Sequence, residues 1–181
     1  MLIPLIILAV LVIFAWMLYN GLVTGKVRVD EAWSQIDVQL KRRADLIPNL
    51  VVTVKGYAKH EKEVFENVTK ARSALLSAQT LRSKADANNQ LATALKSILA
   101  VAEAYPQLRA SENFKSLQEE LMDTEDKVAY SRQFYNNVVM DYNTSLKVFP
   151  NVIFASVIGF KPAEFFGDLS AEERKAVHVN L

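Results

Sequence analysis

The sequence predicts an all-α membrane protein in which one N-terminal transmembrane helix carries a coiled-coil-like bundle with two long helices. Three observations predict this fold class. Residues 1–25 contain no charged side chain. After them, apolar residues recur at helical spacings of three and four. Only five glycines and five prolines interrupt a chain of 181 residues, which favours long helices over strands and turns.

The N-terminal segment is long enough to cross a bilayer. Residues 2–18 are almost entirely apolar, and about 20 such residues span the hydrocarbon core at about 1.5 Å of helix rise each. No basic stretch precedes the run, so it fits a cleaved signal peptide poorly. The polar residues among 20–25 predict a flexible exit from this anchor.

Charged and aromatic residues at the end of the anchor predict its orientation. Lys26 and Arg28 follow it, whereas the residues before it include no Lys or Arg. Asp30 and Glu31 offset part of this positive charge, but the Lys/Arg bias favours a bundle on the cytoplasmic side. Because aromatic rings and basic side chains prefer the membrane interface, we expect four residues there: Trp16, Tyr19, Lys26 and Arg28.

The first long apolar stripe keeps its helical phase through Pro48. A proline normally kinks or ends a helix, so unbroken phase predicts one kinked helix rather than two helices joined by a loop. Only Arg43 and Glu61 interrupt the stripe, which is otherwise apolar. Its positions are Val29, Trp33, Ile36, Leu40, Arg43, Ile47, Leu50, Val54, Tyr57, Glu61, Val64, Val68, Ala71, Leu75 and Ala78.

Two further stripes predict two further helices. One comprises Leu91, Leu95, Ile98, Ala102 and Tyr105 and ends at Pro106; the other runs from Phe114 to Phe149, ahead of Pro150. Ser111 is the candidate N-cap of the latter helix, and Glu112 suits the positive end of its dipole. The polar residues 80–89 are predicted to form a loop. Additional apolar residues beside the stripes imply several packing neighbours, and therefore a bundle.

The apolar residues 151–166 have three interpretations: they cap the bundle, contact another subunit or dip into lipid. With three helices after the anchor, this segment lies far from the membrane; a break at Pro48 would give four helices and return it to the bilayer. The unbroken phase favours three, so we expect protein contact through Ile153, Phe154 and Phe160. Residues 170–173 have capping-box form and predict a short final helix. The predicted divisions are residues 1–25, 26–149 and 150–181.

The composition argues against several classes of activity. The chain has no cysteine, which excludes disulfides and thiolate catalysis, and its 21 basic and 20 acidic residues give no field for nucleic acid. His60 and Glu61 do not form a zinc-protease motif, because Val64 stands where a second histidine is needed. A di-metal bundle would need Glu-x-x-His pairs, and the sequence has none. We therefore expect no enzymatic activity, metal or cofactor.

The polar residues around Pro48 favour a contact between helices or subunits. Arg43 falls on the apolar stripe, with Asp45 and Asn49 close by, and a buried polar residue can fix the register of packed helices. Binding of lipid headgroups is the alternative. However, Lys41 would stand more than about 20 Å from the membrane on a straight helix, which exceeds the screening length. Glu61 interrupts the stripe in the same way and is a further candidate contact.

Two blocks of sequence carry a family resemblance. The first contains YNGLV at 19–23, VDEAW at 29–33, QLKRRADLIPNL at 39–50 and VKGYAKHE at 54–61. The second contains ENF at 112–114, TED at 124–126, RQFYN at 132–136, DYN at 141–143, FP at 149–150 and GFKP at 159–162. Together they resemble the LemA family over nearly the whole chain. The last residues, 176–181, are shorter and less proline-rich than the family pattern.

The resemblance implies a bacterial single-pass membrane protein with an antiparallel helical bundle and no established enzymatic activity. It also implies that some relatives are associated with membrane organelles. Our first hypothesis is a scaffold in the inner (plasma) membrane that binds lipid, self-associates and organises or shapes the membrane. Tethering raises the local concentration of copies, so weak lateral contacts suffice. The alternative is an adaptor or regulator of another membrane protein, such as a protease or envelope factor.

Overall fold

The computed structural model describes residues 2–167. Within this range the chain forms six helices and no strand, which confirms the predicted all-α class. The final helix predicted at residues 170–173 lies outside the described range. The helices are α1 (Leu2–Tyr57), α2 (Lys62–Ser77), α3 (Leu81–Glu103), α4 (Pro106–Ala110), α5 (Glu112–Ser145) and α6 (Asn151–Ile158).

The chain divides into two compact units. The first combines Met1–Arg42 with Met122–Glu164, and the second combines Arg43–Leu121 with Phe165–Leu181. Each unit therefore draws on residues that are distant in sequence. The three divisions expected from the sequence stay predictions.

Helix α1 is continuous at two places where the sequence predicted a disturbance: a kink at Pro48 and a flexible stretch at residues 20–25. It passes through Pro48, as the unbroken stripe predicts, and the side chains of Ile47, Leu50 and Val54 around the proline are buried. Burial of such side chains offsets the hydrogen bond that a proline removes from a helix. Residues 20–25 are also helical, so the prediction of a flexible exit was wrong.

The first stripe belongs to two helices, which corrects the prediction of one continuous helix to Ala78. Residues 58–61 connect α1 to α2. Glu61 is the N-cap residue of α2, but its side chain makes no capping hydrogen bond. Ala58 is fully buried in this connection. Because four residues match about one helical turn, the connection leaves the 3–4 spacing of the apolar residues intact.

The polar residues 80–89 form the start of α3, so the predicted loop was wrong. The Thr80 hydroxyl accepts a hydrogen bond from the Ser83 amide at 3.1 Å, and the Ser83 hydroxyl accepts one from the Thr80 amide at 3.0 Å. This reciprocal capping box satisfies two amides at the helix start. Ala85 and Ala87 are buried, which shows that small apolar side chains suffice for packing along this polar stretch.

In the first unit, α1 packs antiparallel to α5. Trp33 meets Tyr135 edge-on with ring centroids 6.1 Å apart, and Tyr142 packs against Gly25 at the other end of the pair. The core stripe of α1 consists of Leu22, Val29, Ala32, Ile36 and Leu40. That of α5 consists of Thr124, Val128, Ser131, Tyr135, Val139 and Tyr142.

Helix α5 ends earlier than the sequence predicted. Its last residue is Ser145, whereas the stripe ran on to Phe149, whose side chain is 79% exposed. Val139 and Leu146 are buried one residue later than the predicted Val138 and Ser145, whereas Tyr142 is buried as predicted. Such a drift is expected because a straight helix has 3.6 rather than 3.5 residues per turn. Leu146 is the last buried residue of this stripe.

The second unit is built on α2 and α3, which pack against each other along buried aliphatic side chains. Arg72 of α2 donates a hydrogen bond from Nε to the backbone oxygen of Ala44 at 2.8 Å. This bond ties α2 to the end of α1 that belongs to the same unit. Leu108, in the short helix α4, is fully buried.

Candidate membrane-proximal site

The residues that follow α6 run back along α5 and are hydrogen-bonded to it; we call residues 160–164 the strap. The Asn143 side chain bonds the backbone of Ala163 twice: its Nδ2 donates to the carbonyl at 2.9 Å, and its Oδ1 accepts from the amide at 2.8 Å. The Tyr135 hydroxyl donates to the Glu164 oxygen at 2.8 Å, and the Tyr142 hydroxyl to the Lys161 oxygen at 3.3 Å. Three side chains of α5 thus fix the strap through its backbone.

The two strap-binding tyrosines have raised pKa values. Burial, together with the nearby carboxylates of Asp30 and Glu164, raises the pKa of Tyr135 to about 12, and burial is the largest of these causes. Burial also raises the pKa of Tyr142, with Lys26 opposing and Asp30 reinforcing the shift. Both phenols therefore stay protonated at physiological pH and act as hydrogen-bond donors to the strap.

The strap brings the apolar segment next to the anchor. Phe160 packs against Tyr19 with ring centroids 6.1 Å apart. The segment 151–166 was expected at the end of the bundle far from the apolar start of α1, and this contact places it beside that start instead. The expectation was wrong because it counted three helices after the anchor, whereas α5 runs back towards Tyr19.

Helix α1 begins with an uncovered apolar surface. Among the described residues it is the one helix long and apolar enough to cross a membrane. Four residues proposed for the membrane interface lie around the end of this apolar stretch, and all are exposed: Trp16, Tyr19, Lys26 and Arg28. Lys26 forms an ion pair with Asp30 one turn later.

A shallow groove follows the contact between α1 and α5. It measures about 760 Å³ and is lined by Glu31, Ser34, Gln35, Val38, Gln39, Asp126, Lys127, Tyr130 and Ser131. The side chains of Val38 and Tyr130 are 62% and 73% exposed. The Gln39 Oε1 atom is buried there and accepts no hydrogen bond from the described residues.

The candidate contacts near Pro48 separate into buried and exposed residues. Arg43 is only 2% exposed, and its Nη1 donates to Asn88 Oδ1 of α3 at 3.2 Å. Asp45 and Asn49 are exposed, and Glu61 is half-buried at the start of α2. Arg43 therefore joins two elements of the second unit, while its effect on register or subunit contact stays a prediction, as do the effects of the other three.

The candidate contacts in the tail also differ in exposure. The Ile153 side chain is exposed, whereas Phe154 and Phe160 are half-buried. In residues 2–167, no three His, Asp or Glu side chains come together as metal ligands.

The sequence alone does not predict the residues that bind the strap. Tyr135, Tyr142 and Asn143 all lie in the family motifs, and the two tyrosines also lie on the predicted apolar stripe. Their partners lie 19 to 29 residues away along the chain, beyond the reach of helical periodicity. One signal was present: the motifs DYN and GFKP both occur in the resemblance, and the structure brings these two motifs together.

Known proteins similar to this chain agree with the motifs. The family model described as the LemA family matches residues 32–181. Magnetosome protein MamQ 2 of Paramagnetospirillum magneticum is 26% identical over 191 residues, which cover 91% of this chain and 70% of the relative. Magnetosome protein MamQ of Magnetospirillum gryphiswaldense is 25% identical over 181 residues, covering 86% and 66%. The resemblance predicted from the sequence is confirmed.

Proposed function

The chain belongs to the LemA family, and from this premise we propose that it is a single-pass membrane scaffold that self-associates at the bilayer and organises or shapes it. The start of α1 supports the anchor, because an uncharged helix with apolar side chains exposed on all faces is costly in water. Relatives named as magnetosome proteins agree with the membrane organelles that the resemblance implied.

The groove between α1 and α5 is the observation that supports the proposal of self-association. Two packed helices leave their outer faces open, and here the open face exposes Val38 and Tyr130 beside a buried Gln39 oxygen. An apolar patch with a polar rim is typical of a protein contact. We propose that a second copy covers this groove.

Mass measurement after gentle detergent extraction tests this proposal. We expect the wild-type chain to exceed its monomer mass of 20.3 kDa at high protein concentration. Tyr130→Asp should shift the population towards the monomer, because it buries a charge in the contact. Arg132→Asp is the matched control, since Arg132 is exposed and lies about 200° around the helix from Tyr130.

Two outcomes would contradict the scaffold. One is a monomeric wild-type chain at every concentration. The other is one foreign membrane protein that crosslinks to a Tyr130→Cys variant at fixed ratio, while copies of the chain do not crosslink to each other. The latter would favour the alternative function, an adaptor or regulator of that membrane protein.

We propose that the bundle faces the cytoplasm of the inner membrane. Lys26 and Arg28, which directly follow the proposed span in the sequence, support this orientation. Basic residues close to the end of a span favour the cytoplasmic side. A C-terminal reporter enzyme that is active only in the cytoplasm should be active, and activity only of a periplasmic reporter would reverse the orientation.

A further inference from the structure

Residues 148–160 form an uncharged segment between Lys147 and Lys161. It contains α6, whose C-cap residue, Gly159, is in the left-handed conformation with φ 87°. Only Ala155 of this helix is buried, and Val157 is 82% exposed. Side chains of this type rarely face water together on a small protein. The exposed apolar members of the segment are Val148, Phe149, Val152, Ile153, Val157 and Ile158.

The position of the segment along α1 identifies what covers it. Its last residue, Phe160, packs against Tyr19. About 20 residues counted from Leu2 are needed to cross the hydrocarbon core, so Tyr19 lies within the last turn of the proposed span. The segment therefore lies at the level where the bilayer core meets the headgroups.

Burial along α1 indicates that protein packing extends into the span. Ala15 and Leu18 are half-buried, whereas every other described residue before Tyr19 is exposed. Ala9 is exposed in the same helix, so the helix backbone alone does not cover an alanine. With the buried Leu22, these residues form one helical face at spacings of three and four. Packing thus begins about one turn deeper than Tyr19.

We infer that residues 148–160 insert into the membrane interface beside the anchor, in the leaflet next to the bundle. This inference rests on the proposed transmembrane anchor. The exposed face of α6 would enter the boundary between headgroups and acyl chains, which accommodates apolar side chains to a depth of about 5–10 Å. Lys147 and Lys161 flank the segment, and their long side chains reach the headgroups from either side.

Depth-dependent fluorescence quenching in the full chain tests the inference. The sequence contains no cysteine, so Val157→Cys, Arg132→Cys and Leu8→Cys can each carry one environment-sensitive fluorophore. The variants are reconstituted into vesicles of phosphatidylcholine and phosphatidylglycerol. Nitroxide-labelled acyl chains quench a fluorophore in lipid, and iodide quenches one in water. Arg132 is the control, because it is an exposed residue of the same unit and does not line the groove that a second copy is proposed to cover.

We expect acyl-chain nitroxides to quench the label at Val157 and at Leu8, and iodide to quench only the label at Arg132. A label at Val157 that iodide quenches as strongly as at Arg132 would overturn the inference. So would a label that neither reagent quenches, since that result places a protein surface, such as a second copy, over α6. If lipid nitroxides leave the Leu8 label unquenched, the proposed anchor fails and the inference fails with it. If the Leu8 label is quenched by lipid nitroxides but the Val157 label is not, the proposed anchor stands and only the inference about residues 148–160 fails.

Discussion

Asn143 binds the backbone of Ala163 through both of its side-chain polar atoms, at 2.9 and 2.8 Å. One amide side chain thus satisfies both the amide and the carbonyl of a residue in the strap. The strap continues from Phe160, which packs on Tyr19. This pairing therefore links α5 to the position of the apolar tail beside the anchor.

Asn143→Ala should release the strap. The variant loses two hydrogen bonds, which together contribute about 1–3 kcal/mol to stability. Hydrogen exchange should show less protection at the Ala163 amide, while the helical amides of α5 keep theirs. Asn137→Ala, an exposed position in the same helix, is the control and should change neither quantity. Unchanged protection at Ala163 in the Asn143 variant would show that other contacts hold the strap.

Gly25→Ala should gain less stability than Gly21→Ala. Alanine stabilises a helix interior by about 0.5–1 kcal/mol relative to glycine, and a Cβ at Gly21 meets no atom within 4 Å. At Gly25 the new Cβ would lie 3.1 Å from Cδ2 of the buried Tyr142 ring. Thermal unfolding in detergent, followed by circular dichroism, compares the two variants. Equal gains would mean that the Tyr142 ring moves away without cost.

Alkaline pH should destabilise the first unit through Tyr135. Its pKa is about 12 in the folded chain, against an ordinary value of 10.0. The folded state therefore holds this proton more tightly than the unfolded state does. The resulting stabilisation is fully present below pH 10 and is lost as pH rises towards 12.

Ultraviolet titration of tyrosinate checks this shift. The wild-type chain should show a component near pH 12 that Tyr135→Phe lacks. The variant should also lose less stability between pH 10 and 12 than the wild-type chain does. Superimposable titrations of the two proteins would contradict the assignment.

Arg43→Ala should cost much more stability than Arg42→Ala, although both changes remove one positive charge. Arg43 is buried and hydrogen-bonded to Asn88, so its removal leaves a half-buried amide oxygen without this donor, at about 1–3 kcal/mol. Arg42 is half-exposed and lies 3.9 Å from Asp123, a surface pair that contributes at most about 1 kcal/mol. Denaturant unfolding of the two variants measures the difference. Equal losses would indicate that Arg43 adds nothing beyond its charge.

The spacing of apolar residues along the sequence predicted the helices because these residues are buried in the folded chain. Ile36, Leu40, Ile47, Leu50 and Val54 are all buried as the spacing required, and α1 continues through Pro48. The connection at 58–61 escaped detection since its length matches one helical turn. Helix α3 started earlier than predicted because its polar first turns are capped by Thr80 and Ser83 and pack only alanines.

The contacts of the strap and of Phe160 were harder to predict. Its contacts join residues that no helical spacing relates, such as Asn143 with Ala163 and Tyr19 with Phe160. Their formation depends on the direction in which α5 runs, and that direction follows from the number of helices before it. One undetected connection was therefore enough to place the apolar tail at the wrong end.

As the proposed transmembrane anchor, α1 with its unbroken course from Leu2 to Arg42 would couple the first unit to the thickness of the bilayer. A span longer than the hydrocarbon core tilts, and a thinner membrane increases that tilt. Because residues 20–25 are helical and Gly25 is packed against Tyr142, this part of α1 has no flexible joint that absorbs the angle. A change in lipid chain length would then reorient α1 together with the α5 residues packed on it.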